Sequence, residues 1–355
     1  MKTVDLFCGA GGFSKGFEMA GFETALALDR WEQAIETFNH NRAEKVAVSM
    51  DINEYSNRMI ADLAKRQEIT GIIGGPPCQG YSMVGTRNAK DVRNSLYLQY
   101  VRFVEQIRPA FFILENVKGL LTLKKGFFRN DIIRRFTGLS YNVNYKVLTA
   151  SEFGVPQNRE RVFFVGLRKD IFGDSFFEFP EPDREHIIST KMAISDLPSL
   201  DAGDDPTKYT HEPMNDFQRR MRGNCQKITN NEPTKHSKRT VEVISNVPDG
   251  KCIKDVSTEL FKVRNFNAAF RRMNSALPSR TVDCGHRNYF HYEENRVPTA
   301  RESARIQSFP DSYFFTGNKG DQYTQIGNAV PPLLGYALAV QVRKMLEDAG
   351  IGDRQ

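Results

Sequence analysis

The chain has 355 residues, of which 40% are apolar and 26% are charged. This length and composition predict a folded protein with a sizeable core, arranged as two domains or one large one. No stretch approaches the roughly 20 consecutive apolar residues of a membrane span, and the N-terminus has no apolar secretory core. We therefore expect neither membrane insertion nor export.

The spacing of the cysteines and the distribution of charge further limit the classes of protein to which this chain can belong. The five cysteines, at positions 8, 78, 225, 252 and 284, lack the spacing of a disulfide framework or a zinc site. We expect a reducing compartment and no bound metal. The net charge is +6, and the excess lies in residues 216–296, with 16 basic and 9 acidic side chains. Such a segment indicates either a polyanionic partner or a solvated face.

The first half of the chain alternates short apolar runs with helical patterns, which predicts an α/β fold with a doubly wound, mostly parallel sheet. The predicted strands cover residues 3–7, 24–28, 46–50, 70–74 and 110–114. The predicted helices cover residues 13–20, 31–39, 57–66 and 96–107. Residues 141–150 and 161–167 are expected to form an antiparallel pair that closes the sheet.

The second half has a different character. After about residue 170, frequent prolines interrupt the chain and no helical period persists, which predicts a second, smaller domain. Helices are expected again at residues 299–307 and 332–349, with a turn at 326–328. We therefore expect one domain over 1–180, a smaller one over 181–318, and a C-terminal segment, 319–355, that returns to the first domain.

A glycine-rich segment, Asp5-Leu-Phe-Cys-Gly-Ala-Gly-Gly-Phe-Ser14, joins the first strand to the first helix. Glycines at such a turn let a nucleotide-like ligand approach the backbone, although a turn kept for tight packing is the alternative. Ser14 stands where the dinucleotide fingerprint has its third glycine, so a nicotinamide enzyme is less favoured. Asp29 and Asp51 follow the next two strands, where an acid either binds ribose hydroxyls or caps a helix.

Three further motifs place reactive side chains at strand ends. Gly74-Gly-Pro-Pro-Cys-Gln-Gly-Tyr-Ser82 holds Cys78 behind two prolines, which favours a reactive thiol over a core cysteine. Glu115-Asn116-Val117 offers a carboxyl group for proton donation, or a solvated acid. Gln157-Asn-Arg-Glu-Arg161 puts Arg159 and Arg161 two residues apart at the start of a strand, so both are expected to point to one face and grip an anion or a base edge.

Six motifs, in this order along the chain, resemble those of DNA cytosine-5 methyltransferases of the bacterial and phage modification type. They are Asp5–Ser14, Gly74–Ser82, Glu115–Val117, Gln157–Arg161, Arg296–Pro310 and Gln325–Val330. The resemblance covers about residues 1–168 and 278–345. It implies a Rossmann-like methyltransferase fold and sequence-specific methyl transfer from S-adenosylmethionine to carbon 5 of a cytosine in DNA.

The resemblance also implies roles for the reactive side chains. Cys78 would add to carbon 6 of the cytosine, Glu115 would act at the ring nitrogen, and Arg161 would hold the base carbonyl, with Arg159 completing the catalytic set. A base inside a duplex cannot be attacked at carbon 6, so the cytosine must flip out. The cationic segment 82–94 would then close over the phosphates.

The implied cofactor is S-adenosyl-L-methionine, with S-adenosyl-L-homocysteine as product. The cofactor residues implied by the resemblance are Phe7, Gly9, Gly11, Asp29, Arg30, Trp31, Asp51, Ile52, Pro76, Asn328 and Ala329. Asp29 would bind the ribose, Asp51 and Ile52 would meet the adenine, and Asn328 with Ala329 would close the pocket. Many members of the family have an aromatic residue directly after the ribose-binding acid, whereas this chain has Arg30 and then Trp31, so the adenine-stacking partner stays open.

Segment 181–318 would be the target-recognition domain facing the major groove, which gives its basic excess a cause. The expected DNA-binding residues are Ser82, Arg87, Arg93, Arg264, Arg271, Arg272, Arg280 and Arg287. The expected partners are duplex DNA and a cognate restriction endonuclease acting separately, with no membrane partner. Because no regulatory extension accompanies the motifs, we expect a bacterial or phage enzyme, monomeric, in the bacterial cytoplasm and nucleoid.

Two alternatives remain at this point. A tRNA cytosine-5 methyltransferase would share the active site, but the Cys-Phe-Thr signature that follows the arginine motif in those relatives is absent here. A DNA-binding homologue without activity would keep the fold alone. The intact set of Cys78, Glu115 and Arg161 argues against this second alternative.

Overall fold

The computed structural model describes residues 1–77, 96–256, 270–285 and 289–352. The chain divides into two compact units. Unit 1 comprises Met1–Thr149, Glu160–Pro182 and Leu334–Gln355, and unit 2 comprises Ala150–Arg159 and Asp183–Leu333. The functional boundaries expected at residues 180 and 318 stay a prediction.

Unit 1 is built on a seven-stranded sheet with the strand order β3-β2-β1-β4-β5-β8-β6. Its strands are β1 (Lys2–Leu6), β2 (Glu23–Asp29), β3 (Ala47–Ser49), β4 (Ile69–Gly74), β5 (Phe111–Val117), β6 (Tyr141–Thr149) and β8 (Glu160–Arg168). The first five strands pair in parallel, and β8 runs antiparallel to both β5 and β6. This confirms the predicted doubly wound, mostly parallel sheet.

The helices of the described residues alternate with these strands in the first part of the chain. They are α1 (Gly12–Met19), α2 (Glu32–His40), α3 (Asn57–Arg66), α4 (Leu96–Ile107), α5 (Phe127–Gly138), α6 (Lys169–Phe172), α7 (Thr190–Ile194), α8 (Asp216–Arg222), α9 (Lys238–Ser245), α10 (Ala300–Ile306), α11 (Lys319–Asn328) and α12 (Pro332–Asp348). None of them combines the length and the apolar character that a membrane crossing needs.

The middle of the sheet is packed closely because glycines stand opposite phenylalanines. Gly71 pairs with Phe111 and Gly166 pairs with Phe112 in the strand register. A Cβ atom at Gly71 would lie 2.1 Å from the Phe111 ring, and one at Gly166 would lie 2.0 Å from the Phe112 ring. The strands that carry the functional motifs therefore rest on a rigid, fully buried layer.

Helix α5 has no counterpart in the sequence-based prediction. Its buried residues include Phe128, Ile132 and Phe136, which recur every fourth position as on one face of a helix. The Phe136 ring stacks on Phe112 of the sheet with 4.0 Å between ring centroids. The periodic signal was thus present in the sequence.

Unit 2 contains short strands and short helices. Strand β10 (Ser279–Arg280) pairs with β7 (Gln157–Asn158), and β11 (Tyr289–Phe290) pairs with β9 (Arg271–Arg272). The turn predicted at residues 326–328 is wrong, because α11 continues through Asn328. That helix begins with a capping box, in which the Asn318 and Asp321 side chains each bond the other's backbone N–H.

Ion pairs occupy the interior of unit 2. The guanidinium of Arg305 is 0% exposed and lies 2.5 Å from Asp311 Oδ1 and 2.8 Å from Asp196 Oδ1. Arg296 pairs with Glu302 at 2.6 Å, also in the interior. The Arg296–Pro310 motif thus supplies internal charge pairs that organise unit 2.

Candidate active site

The glycine-rich turn between β1 and α1 adopts left-handed backbone conformations. Phe7, Gly9 and Gly11 have φ angles of 61°, 51° and 84°, a region that non-glycine residues such as Phe7 rarely occupy and that is often associated with functional sites. No described atom lies within 4 Å of the position that a Cβ atom on Gly9 would take. The turn therefore exposes backbone beside open space, as a closely bound ligand requires.

A buried hydrogen bond fixes this turn from the inside. The Ser14 hydroxyl donates to Asp5 Oδ2 at 2.6 Å, and both side chains are buried. Burial raises the pKa of the Asp5 carboxyl to about 7, against the opposing effect of the Ser14 hydrogen bond. From the sequence alone, Ser14 was noted only because it stands where the dinucleotide fingerprint has its third glycine. The structure shows that it closes the turn onto the end of β1.

Asp29 stands at the end of β2 and is oriented by two backbone donors. The Gly9 N–H donates to its Oδ2 at 2.9 Å, and the Trp31 N–H donates to its Oδ1 at 3.0 Å. Burial raises the pKa of this carboxyl above its ordinary value, and both N–H groups oppose the shift. Each oxygen of a carboxylate can accept a further hydrogen bond, so Asp29 can still receive the hydroxyls of a ribose.

The neighbouring candidates occupy the same edge of the sheet. Arg30 is exposed, and Trp31 is the N-cap residue of α2. Asp51 follows β3, and its Oδ1 accepts from Asn53 N at 2.9 Å and Asn53 Nδ2 at 2.7 Å. Ile52 is buried. The open turn and the oriented acid of unit 1 thus fit the adenosyl group of S-adenosylmethionine.

Glu115 and Arg161 form an ion pair at the carboxyl end of β5. Val117 of β5 pairs with Arg161 of β8, so Glu115, two residues earlier, lies on the same face of the sheet as Arg161. The Arg161 Nε atom lies 3.0 Å from Glu115 Oε1, and the side chains are 17% and 13% exposed. An oriented acid and an oriented guanidinium are therefore held side by side.

Gly75 has a role at this pair that the sequence analysis missed. A Cβ atom at position 75 would lie 2.8 Å from Glu115 Oε2, so a larger residue would displace the carboxylate. The only signal in the sequence was the second glycine of the Gly74-Gly-Pro-Pro motif. Its absence of a side chain lets the acid approach the backbone.

Asn116 ties the same strand to the start of the cysteine motif. Its side chain is buried, and Nδ2 donates to the Pro76 carbonyl at 3.0 Å while Oδ1 accepts from Val117 N at 2.8 Å. Pro76 is thereby fixed two residues before Cys78. Cys78 itself, with Ser82, Arg87 and Arg93, lies outside the described residues.

Arg159 is placed differently from the prediction. Strand β8 begins at Glu160, so alternation along one strand does not point Arg159 and Arg161 to a shared face, and that prediction is wrong. Arg159 is 2% exposed, and its Nη1 donates to the Gly327 carbonyl at 3.0 Å within unit 2. Asn328 ends α11, and Ala329 is its C-cap residue.

The expected DNA-binding arginines also differ among themselves. Arg272 is a correction, because it is 5% exposed and all five of its N–H donors bond protein acceptors. A saturated, buried guanidinium has no donor left for a base edge. Arg280 is exposed, and Arg271 is partly buried and donates to the Gly250 carbonyl at 2.7 Å. Arg264 and Arg287 fall outside the described residues.

Known proteins match this chain along nearly its whole length. Residues 1–344 match the model of the C-5 cytosine-specific DNA methylase family. The chain is 37% identical to the type II methyltransferase M.DdeI of Desulfomicrobium norvegicum, over 99% of this chain and 90% of that protein. It is 38% identical to the type II methyltransferase M1.HphI of Haemophilus parahaemolyticus, over 97% of this chain and 87% of that protein.

A solved structure extends the comparison to the fold. A protein described as a DNA modification methyltransferase encoded within a prophage (E. coli) superposes with a TM-score of 0.83 and 27% identity, covering 98% of this chain and 99% of that one. Membership of this family implies S-adenosylmethionine as cofactor and DNA as substrate. The chain belongs to the C-5 cytosine-specific DNA methylase family and is a DNA cytosine-5 methyltransferase of the restriction-modification type.

Proposed function

We propose that this enzyme methylates carbon 5 of a cytosine flipped out of duplex DNA at one recognition sequence, through a covalent bond between Cys78 Sγ and carbon 6. The observation that carries the proposal is the Glu115–Arg161 pair, 3.0 Å apart at the end of β5. The ring nitrogen N3 and the carbonyl oxygen O2 are adjacent on the edge of a cytosine. An acid and a guanidinium held side by side match these two atoms.

The chemistry explains why these side chains are needed. Carbon 5 of cytosine is a poor nucleophile until a thiolate adds at carbon 6, which moves electron density onto carbon 5 and N3. Glu115 stabilises N3 by a hydrogen bond or a proton, and Arg161 holds O2. After methylation, a base from the solvent takes the carbon 5 proton, and the electrons of that C–H bond form the double bond between carbon 5 and carbon 6. The bond between Cys78 Sγ and carbon 6 breaks at the same time, and its electron pair leaves with the sulfur as the thiolate.

The cofactor would be held by the glycine turn and by Asp29. Bound S-adenosylmethionine supplies an electrophilic methyl group on a sulfonium centre. Asp29 binds the ribose hydroxyls, and the backbone around Gly9 accommodates the rest of the ligand without a side chain in the way. The remaining proposed cofactor residues are Phe7, Gly11, Arg30, Trp31, Asp51, Ile52, Pro76, Asn328 and Ala329.

The DNA would be held by two sets of residues. Ser82, Arg87 and Arg93 contact phosphates around the flipped base, and segment 181–318 reads the sequence through side chains that include Arg264, Arg271, Arg280 and Arg287. A separate endonuclease that cleaves the same unmethylated sequence is the corresponding partner in a restriction-modification system. The enzyme works as a monomer where bacterial DNA is, in the cytoplasm and nucleoid.

Substitution of the nucleophile tests the proposal. Cys78→Ser should abolish tritiated methyl transfer to duplex DNA, because a hydroxyl forms no anion near neutral pH and cannot add to carbon 6. Cys225→Ser, the same change in unit 2, is the matched control and should keep full activity. Calorimetric binding of S-adenosylmethionine shows that the Cys78 variant is folded. Transfer within tenfold of the wild type would contradict the covalent mechanism.

A further inference from the structure

The C-terminal end of helix α11 in unit 2 is held by buried polar side chains from separate segments of the chain. The last carbonyls of a helix have no partner within the helix. Here Gln307 Nε2 donates to the Ile326 carbonyl at 2.6 Å, and Arg159 Nη1 donates to the Gly327 carbonyl at 3.0 Å. Both donors belong to buried side chains. Their bonds fix the last turn of the helix, which carries Asn328.

The Gln307 side chain is itself oriented by a second buried glutamine. Gln157 Nε2 donates to Gln307 Oε1 at 2.8 Å, and the Val282 N–H donates to Gln157 Oε1 at 2.8 Å. Each amide accepts at its oxygen and donates at its nitrogen, so reversing either one would oppose donor to donor. A directional chain of hydrogen bonds therefore runs from Val282 to the Ile326 carbonyl.

The residues after Val282 reach the same helix end. A Cβ atom at Gly327 would lie 2.7 Å from the Asp283 carbonyl carbon and 2.8 Å from Cys284 N, so Gly327 is needed for this close approach. The Cys284 thiol donates to Asn328 Oδ1 at 3.1 Å. This orientation leaves the Asn328 amide nitrogen as the side of the group that can donate to a ligand.

We propose that Gln157, Gln307 and Cys284 are positioning residues that hold Asn328 in the orientation in which it binds the cofactor. The inference rests on the proposed function, which assigns Asn328 to the cofactor. A helix end needs only water or a glycine turn to satisfy its carbonyls. The two fully buried amides of Gln157 and Gln307 do more than satisfy a carbonyl, because they also fix the helix end in one orientation. A donor that is already oriented binds its ligand more tightly, because less conformational freedom is lost on binding.

The thiol offers the mildest test, because Cys284 is exposed and its loss leaves the interior intact. Cys284→Ala should raise the calorimetric Kd for S-adenosylmethionine about threefold, since a weak hydrogen bond is removed. Cys284→Ser keeps a donor and should return the Kd to within twofold of the wild type. Cys225→Ala is the control and should have no effect. Equal Kd values for Cys284→Ala and the wild type would overturn the role of the thiol.

A double-mutant cycle tests whether the glutamines act through Asn328. Gln307→Ala should raise the Kd about tenfold in the wild type and less than twofold in an Asn328→Ala background, because nothing remains to be positioned. Equal effects in both backgrounds, or no effect in either, would overturn the proposal. If Gln307→Ala fails to fold, as judged by urea unfolding, the Cys284 variants decide the question.

The cofactor assignment is checked in parallel with Asp29→Ala. If Asn328→Ala leaves the Kd unchanged while Asp29→Ala raises it, the positioning role is overturned and the proposed cofactor site stands. If neither variant changes the Kd, the proposed cofactor site fails as well. The two failures are thus distinguishable by the same calorimetric measurement.

Discussion

Arginines serve opposite purposes in the two units. In unit 1, Arg161 is 17% exposed and is paired with Glu115 at the end of a strand. In unit 2, Arg305 is 0% exposed and is enclosed by Asp311 and Asp196. The Arg161 guanidinium is oriented and still reachable by a ligand, whereas the Arg305 guanidinium is buried and paired with carboxylates of the protein itself. Charge in a sequence therefore indicates a binding site only where the fold leaves the charged group accessible.

The variant Glu115→Gln in unit 1 should distinguish most clearly between a charged group that serves the reaction and one that serves stability. Loss of the acid should lower the rate of methyl transfer by about 10²–10⁴-fold, the usual contribution of a general acid. Stability should fall by less than after the loss of a fully buried ion pair, because both side chains keep some exposure to solvent. Single-turnover methyl transfer and urea unfolding of the same preparation check both points. A variant that lost stability and kept its rate would place Glu115 among the structural residues.

The complementary change is Arg305→Met in unit 2. It removes the cation that lies closest to the buried carboxylates of Asp311 and Asp196, which should cost about 3–5 kcal/mol of unfolding free energy. Urea unfolding measures the loss, and Arg219→Met, which breaks an exposed pair with Asp216 in the same unit, is the control. A loss below about 1 kcal/mol would show that these charges are solvated after all.

Two buried carboxyl groups, Asp5 in unit 1 and Glu302 in unit 2, should make the stability of the protein depend on pH in opposite directions. Burial raises the pKa of Asp5 in unit 1 to about 7, so its contribution to stability is present at low pH and is lost as the pH rises towards 7. In unit 2, burial alone would raise the pKa of the Glu302 carboxyl, but the Arg296 guanidinium lowers it to about 2. Its contribution is present above the ordinary carboxyl pKa and is lost as the pH falls towards 2.

Asp5→Asn isolates the first of these effects. The amide keeps an acceptor for Ser14 and does not ionise, so the Tm of the variant relative to the wild type should rise between pH 5 and pH 8. Thermal unfolding across this range is the measurement. A constant difference in Tm would mean that Asp5 does not titrate in this interval.

The smallest expected effect concerns DNA binding by exposed and buried arginines. Arg280→Ala should lower the slope of log Kd against log salt by about one unit if the exposed side chain contacts a phosphate, and should leave stability unchanged. Arg272→Lys should instead destabilise unit 2, because an ammonium group cannot reproduce the planar donor geometry that serves the five acceptors of the Arg272 guanidinium. A changed salt slope for Arg272→Lys with unchanged stability would restore its predicted role in DNA binding.

The sequence alone predicted the sheet because its signals are local. The apolar runs of β4 and β5 and the motif at the end of each strand lie within a few residues of one another. The Glu115–Arg161 pair was not predictable in the same way, since it depends on the register between β5 and β8. The role of Arg272 was missed for a similar reason. Its acceptors lie 19–28 residues away in the chain and meet it only in the folded unit.

Bisulfite sequencing of DNA from cells that express the protein tests the central claim most directly. Cytosines methylated at carbon 5 resist conversion, so the wild type should protect one cytosine within a single recurring short sequence. The Cys78→Ser variant, expressed to the same level, should protect none. Protection without a common sequence, or the same protected sites in the Cys78→Ser variant, would contradict sequence-specific methylation through a Cys78 adduct.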